Sequence, residues 1–135
     1  GYGALTQMTT GNSNTALGHR ASDASTTASN TVAVGTDALG SLTTGNANTA
    51  VGKDTLSQLT TVSDMVAVGF KALEANTTGT HNTAVGAFSS DAITTGIRNT
   101  SLGYGTLTSG TSINYNTALG YAALADCSSD SNTRL

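Results

Sequence analysis

Apolar, small and polar residues return along this chain at a fixed spacing of 17 residues. The clearest copy is Asn-Thr-Ala-Val-Gly at Asn48–Gly52, which returns nearly unchanged at Asn14–Gly18, Asn82–Gly86, Asn99–Gly103 and Asn116–Gly120. We number the repeat from its glycine, so that position 1 holds Gly1, Gly18, Gly35, Gly52, Gly69, Gly86, Gly103 and Gly120. A constant period without insertions or deletions is typical of stacked-repeat proteins.

Positions 15 to 17 predict a short β-strand in each of the first seven repeats, because position 15 is β-branched, position 16 small and position 17 Val or Leu. Side chains alternate across a strand, so positions 15 and 17 share one face. We expect position 17 to form an apolar ladder inside the coil, made of Leu17, Val34, Val51, Val68, Val85, Leu102 and Leu119. The opposite face would then be a flat alanine strip that we favour as an interface with another chain over a solvent-exposed strip, made of Ala16, Ala33, Ala50, Ala67, Ala84 and Ala118.

The rest of the repeat predicts corners and a second apolar ladder. Position 5 is Leu in all repeats except those with Ser22 and Ser90, and position 8 is partly apolar. Positions 9 and 10 are Thr or Ser throughout, and position 14 is mostly Asn, whose amides can bond along a stack. The high frequency of Gly and of Thr-Thr and Asn-Thr pairs disfavours a helix. We therefore predict one all-β domain over residues 1–135, a parallel β-solenoid of about eight coils with corners at the position 1 glycines.

The last repeat departs from the pattern, since Arg134 falls at position 15. Either the solenoid ends here or its register slips by one residue, as Ser131-Asn132-Thr133 suggests. The chain begins at a repeat glycine without an initiator Met, so we expect it to be a segment of a longer fibre.

Composition argues against several classes of function. Only 10% of the residues are charged and 4% aromatic, less than a globular enzyme of this size usually has. The five basic residues are scattered and the net charge is −3, so we expect no nucleic-acid partner. No apolar run approaches the roughly 20 residues that span a bilayer, so we expect no membrane insertion.

Catalytic and metal-binding patterns are absent from the sequence. His19 and His81 occupy different positions of repeats four coils apart, and Cys127 is far from both, which leaves no Ser-His-Asp or Cys-His arrangement. The acids are spread over several positions and form no calcium-binding repeat. We predict no catalytic residue, no metal and no cofactor, and therefore no enzyme.

Aromatic residues are the main candidates for surface contacts. Phe70, Tyr104 and Tyr121 share position 2 with Tyr2, and Phe88 and Tyr115 add nearby surface. Exposed aromatic side chains can contact a sugar or a protein, or can pack between copies of the chain. We favour packing between protomers and keep Phe70, Tyr104, Tyr115 and Tyr121 as surface-binding candidates.

Two segments carry a resemblance to a known family. Asn-Thr-Val-Ala-Val-Gly at Asn30–Gly35 is similar to the Asn-Ser-Val-Ala-Ile-Gly strand of trimeric autotransporter adhesin heads. Repeats such as Asn116–Leu124 look even more like those of phage tail fibres and related bacterial surface fibres. The resemblance covers nearly the whole chain and implies a left-handed parallel β-roll in which three chains pack side by side. The period of 17 is longer than the usual adhesin repeat, which would enlarge an outer loop.

The sequence therefore predicts a structural shaft or head segment of a homotrimeric fibre. Such a fibre would be extracellular, on a cell surface or a virion, and would mediate attachment, with a cell-surface glycan or protein receptor as a further partner. One alternative is an ice-binding solenoid that uses the Thr array of positions 9 and 10. Another is part of a tailspike that binds or cleaves a polysaccharide.

Overall fold

The computed structural model describes residues 1–134 and shows a parallel β-solenoid with a 17-residue repeat and about seven turns. Among these residues there is no helix. Each strand pairs in parallel with the next one along the chain, in a single eight-stranded sheet. The strands are β1 (Thr15–Leu17), β2 (Val32–Val34), β3 (Thr49–Val51), β4 (Val66–Val68), β5 (Thr83–Val85), β6 (Thr100–Leu102), β7 (Thr117–Leu119) and β8 (Thr133–Arg134). The all-β solenoid and its strands at positions 15 to 17 are thus confirmed.

Register is kept from β1 to β7, where each residue pairs with the residue at the same position of the next repeat. At the last step Thr117 pairs with Thr133 and Ala118 with Arg134, so the register slips by one residue. The slip places Asn132 at the position of the other repeat asparagines, where its backbone N–H donates to Asn116 Oδ1 over 2.9 Å. Of the two possibilities for the last repeat, the slip is the observed one.

The side of each strand that faces the interior is the opposite of the one expected. The position 16 alanines point into the coil, and those from Ala33 onward are at most 1% exposed. Position 17 lies outside, with Leu17 63%, Leu102 45% and Leu119 42% exposed. The predicted core ladder of Leu17, Val34, Val51, Val68, Val85, Leu102 and Leu119 is therefore wrong. The proposed interface of Ala16, Ala33, Ala50, Ala67, Ala84 and Ala118 is wrong as well, because each coil encloses its own alanine.

Side-chain volume explains this reversal. Positions 5 and 8 project large side chains into the coil, and Leu39, Leu42, Leu56 and Leu59 are completely buried. These leucines and the position 16 alanines form one continuous core cluster. Protein interiors are packed to near crystal density, so the wall that faces such leucines has room for a methyl group but not for Val or Leu.

The position 1 glycines occupy a corner directly after each strand. Gly52 has a φ of 136°, and a Cβ there would lie 2.4 Å from the carbonyl oxygen of Gly69 in the next coil. Backbone therefore stacks directly on backbone at this corner, in a conformation that side-chain-bearing residues rarely adopt. Positions 3, 5 and 13 also have positive φ but mostly carry residues other than glycine, as at Asp37, Leu39 and Ala47.

Asparagine at position 14 links each coil to the next. Asn48 Oδ1 accepts from the Met65 backbone N–H over 3.0 Å, and its Nδ2 donates to the Val62 carbonyl over 2.7 Å. Further along, Asn99 Nδ2 also donates to Asn82 Oδ1 over 3.1 Å. The bonding of stacked amides that the sequence suggested is thus confirmed, and it satisfies polar groups inside the coil.

Asn76 differs from these asparagines because it sits at position 8, between Leu59 and Ile93 of the neighbouring coils. Its side chain is completely buried, and neither Oδ1 nor Nδ2 has a hydrogen-bond partner among the described residues. We expect Asn76→Leu to raise the free energy of unfolding by about 1–3 kcal/mol, since an unsatisfied buried amide is replaced by an apolar side chain. Urea denaturation followed by circular dichroism would measure the change.

The matched control is Asn82→Leu. Asn82 is also buried, but its amide donates to the Gly96 carbonyl over 2.7 Å and accepts from the Asn99 backbone. This variant should lose stability, because it leaves those backbone groups unpaired. Equal losses of stability in both variants would contradict the assignment of Asn76 as an unsatisfied group.

Candidate interaction surface

The outward side of the β-sheet, formed by positions 15 and 17, is a continuous apolar surface that we call the sheet face. Thr and Val alternate irregularly at position 15, and only Val and Leu occur at position 17. No residue on the sheet face between Thr15 and Leu119 is charged. Strands about 4.8 Å apart make the surface about 29 Å long from β1 to β7. Its valines are partly buried by their neighbours except for Val66, which is 39% exposed, and its leucines are exposed.

Aromatic side chains border the sheet face on the side where each strand ends. Phe70, Phe88, Tyr104 and Tyr121 follow one another along the axis, with ring centroids 5.2, 5.8 and 5.6 Å apart. We call this row the aromatic flank. Three of the surface-binding candidates, Phe70, Tyr104 and Tyr121, thus lie together, and the nearby Phe88 joins them from position 3.

Ring orientation limits what the aromatic flank can bind. Tyr104 and Tyr121 are stacked with an angle of 7° between their planes, so their facing sides cover each other. Lys53 and Lys71 lie over the Phe70 ring, with Nζ 5.9 and 5.8 Å from its centroid. Tyr121, which is 81% exposed, keeps its outer ring face open, whereas the other rings of the row offer mainly edges and, at Tyr104, a hydroxyl group. Sugars usually stack on several open ring faces. This arrangement suits packing against protein better than a saccharide platform.

Position 13 borders the sheet face on the other side, where each strand begins, and we call this row the position 13 flank. It is formed by Ser13, Asn30, Ala47, Asp64, His81, Arg98 and Tyr115. Arg98 Nη1 donates to the Tyr115 hydroxyl over 2.8 Å, and its guanidinium carbon lies 5.5 Å from the ring centroid. The fourth candidate, Tyr115, is therefore separated from the other three by the width of the sheet face.

Most charged side chains lie away from the sheet face, at the corner that follows the strand. Arg20 contacts both Asp23 over 3.1 Å and Asp37 over 3.6 Å, and Lys71 contacts Glu74 over 2.9 Å. The hydrogen bond to Glu74 raises the pKa of Lys71. Burial is the main cause that raises the pKa of the nearby Asp91 carboxyl, and Glu74 adds to it. These contacts are those of surface ion pairs, which contribute little to stability.

The histidines and the cysteine stay apart, as their positions predict. His19 stacks on Tyr2 with ring centroids 5.9 Å apart, whereas His81 is exposed on the position 13 flank. Cys127 is buried near the last coil, where its Sγ lies 3.4 Å from the Asn132 amide nitrogen. Within residues 1–134 no three His, Cys, Asp or Glu side chains group in a way that could hold a metal ion.

The Thr array of positions 9 and 10 is partly engaged in structure. Five of the position 9 hydroxyls donate to the carbonyl of position 9 in the next coil, as from Thr9 to Thr26 over 2.9 Å and from Thr43 to Thr60 over 3.0 Å. A hydroxyl whose proton is committed to the backbone has less capacity to organise water. The ladder therefore acts mainly as a side-chain bond between coils.

Comparison with known proteins does not assign the chain to a family. It matches no protein-family model, and neither the curated proteins nor the solved structures give a significant match. In the part of the chain that the structure describes, no helix is long and apolar enough to cross a membrane.

Proposed function

We propose that this chain is a structural segment of a homotrimeric fibre, extracellular on a cell surface or a virion, that displays an attachment surface and performs no chemistry of its own. The observation that carries the proposal is the sheet face, an uncharged row of Val, Leu and Thr along the whole solenoid. A contiguous uncharged surface of this kind, comparable to the largest apolar patch of a typical monomer, is often functional and supports a role in protein association. Its occupant in this proposal is a second and a third copy of the chain.

The sheet face alone is smaller than a stable interface between two chains. A strip about 29 Å long and about 10 Å wide amounts to about 300 Å², whereas a stable interface buries about 800 Å² on each partner. The missing area must come from the two flanks. In a closed three-chain arrangement each copy touches two neighbours, so that the sheet face faces the axis and both flanks are used.

The predicted mass of the native assembly is close to three times 13.4 kDa. We expect Val68→Asp, in the middle strand β4, to weaken association by about 100-fold or more, because it brings unpaired carboxylates into an apolar contact. Light scattering over a concentration series would measure the change in association. The control is Thr78→Asp, which adds the same charge at an exposed position 10 away from the sheet face and should leave the mass unchanged. A folded wild-type monomer at all concentrations would overturn the proposal.

An ice-binding solenoid is the second candidate function. One observation favours the sheet face, and not the Thr array of positions 9 and 10, as its ice-binding surface. Thr15, Thr49, Thr83, Thr100 and Thr117 all point outward on the sheet face, each followed by a small residue that points inward. Such outward Thr on a flat sheet can order water, in contrast to the adjacent Thr pairs of positions 9 and 10. Thermal hysteresis of a monomeric wild-type protein, lost in Val68→Asp, would support this candidate. No contact among the described residues favours a polysaccharide-cleaving tailspike.

A further inference from the structure

Two coils of the solenoid differ from the others in what fills their interior. Coil 2 (residues 18–34) keeps the inward positions of its neighbours, but every side chain on them is small. All six are at most 1% exposed, namely Ala21, Ser22, Ser25, Ala28, Thr31 and Ala33. At positions 5 and 8, coil 3 instead buries Leu39 and Leu42 completely, and coil 4 buries Leu56 and Leu59. Coil 2 therefore closes around a much smaller apolar core.

Coil 6 (residues 86–102) replaces apolar contacts with a cluster of hydroxyl groups. Ser90 stands at position 5, where most coils have leucine, and Ser101 stands at position 16, where the other coils from 1 to 7 have alanine. Ser89 Oγ lies 2.7 Å from Ser101 Oγ and 2.8 Å from Thr106 Oγ1. Ser90 Oγ lies 2.8 Å from Ser101 Oγ. The four residues are at most 1% exposed, so the cluster satisfies its own polar groups but buries little apolar surface.

The hydrogen bonds between coils are alike at these coils and elsewhere. At position 5, the Ser22 N–H donates to the next coil over 2.9 Å and the Ser90 N–H over 2.7 Å. The N–H groups of Leu39 and Leu56 do so over 3.1 Å. The stability of a solenoid is approximately the sum of its repeats and of the contacts between neighbouring repeats. Because the backbone bonds are alike, the buried apolar side chains determine which coils are less stable.

We infer that coils 2 and 6 are weak joints, at which the solenoid opens before its middle coils do. Opening at coil 2 releases coil 1 with it, and opening at coil 6 releases coils 7 and 8. Coils 3 and 4 stay folded around their four buried leucines. Segments that open together in this way are cooperative units of the native state. The inference concerns a single chain and does not depend on how many chains associate.

Amide hydrogen exchange, followed by NMR in the full chain and corrected for intrinsic rates, tests the inference at position 5. The N–H groups of Ser22 and Ser90 should exchange at least about 10-fold faster than those of the leucines in coils 3 and 4, because a missing buried leucine shifts the opening equilibrium by about that factor. The Leu107 N–H in coil 7 should exchange at the same rate as that of Ser90, since both belong to one opening unit.

Variants that restore the usual core separate the effect of the interior from that of the chain ends. S22L/S25L gives coil 2 the leucine pair of coils 3 and 4, and should slow exchange in coil 2 by at least about 10-fold without changing coil 6. S90L/S101A should slow exchange in coils 6 to 8 without changing coil 2. The control S109L places leucine at an exposed position 7 of coil 7 and should slow neither.

The wild-type chain alone can overturn the inference, so it stays testable if a leucine variant fails to fold. Equal exchange at position 5 in coils 2 to 6 would contradict it. Exchange that becomes steadily faster from Ser90 to Leu107 and onward would indicate simple fraying and would contradict it as well. Unchanged exchange in both folded leucine variants leads to the same conclusion. Slower exchange confined to the substituted joint, and absent from S109L, supports the two weak joints.

Discussion

Gly69→Ala is expected to lower the free energy of unfolding by more than about 3 kcal/mol, a large part of the stability of a typical domain. Gly69 has a φ of 134°, and an added Cβ would lie 2.5 Å from both the carbonyl carbon and oxygen of Gly86. Neither backbone can move away without breaking the hydrogen bond from the Gly86 N–H to the Val68 carbonyl, 2.7 Å long. Thermal and urea unfolding monitored by circular dichroism would measure the loss.

Gly120→Ala separates the two causes of this loss, which are the backbone strain at positive φ and the clash of the added Cβ with the next coil. Gly120 also has a positive φ, 120°, but an added Cβ there has no atom within 4 Å. It should therefore cost only the backbone strain, about 1–3 kcal/mol. If Gly69→Ala were no more destabilising than Gly120→Ala, the close stacking of one coil on the next would not be what requires glycine.

Leu56→Ala is expected to cost about 2–5 kcal/mol, while Val51→Ala should cost less than about 1 kcal/mol in a dissociated chain. Leu56 is completely buried in the coil, and Val51 lies on the sheet face. The comparison is best made in the Val68→Asp background, so that loss of association does not add to the effect. Urea unfolding gives both values under the same conditions.

In the wild-type assembly the losses of unfolding free energy in the two variants should be more nearly equal, because Val51 would then be buried against neighbouring chains. A larger loss from Val51→Ala than from Leu56→Ala in the dissociated chain would mean that position 17 forms the core after all. The pair of variants therefore tests whether position 17 belongs to the core of the coil.

The candidate surface was only partly predictable. The aromatic residues at position 2 could be grouped from their spacing, because equal positions of a solenoid stack on each other. Phe88 and Tyr115 could be placed only near them, and the structure puts Phe88 in the row and Tyr115 on the other flank. In the same way the contact of Arg20 with Asp37 joins equal positions of adjacent coils, whereas the contact of Lys71 with Glu74 depends on how the corner folds.

The period, the strands at positions 15 to 17, the glycine after each strand and hence the parallel solenoid all follow from the sequence alone. These features depend on local geometry and on the stacking of identical positions, and both can be predicted directly from a repeating sequence. Which side of the strand faces inward depends instead on how the whole coil closes. Alternation places Val51 opposite to Ala50 but does not say which one is buried. The closed coil decides it, because Leu56 and Leu59 fill the interior and leave room on the facing wall for alanine alone. Valine and leucine are thereby placed outside, where they form the surface proposed to join three chains.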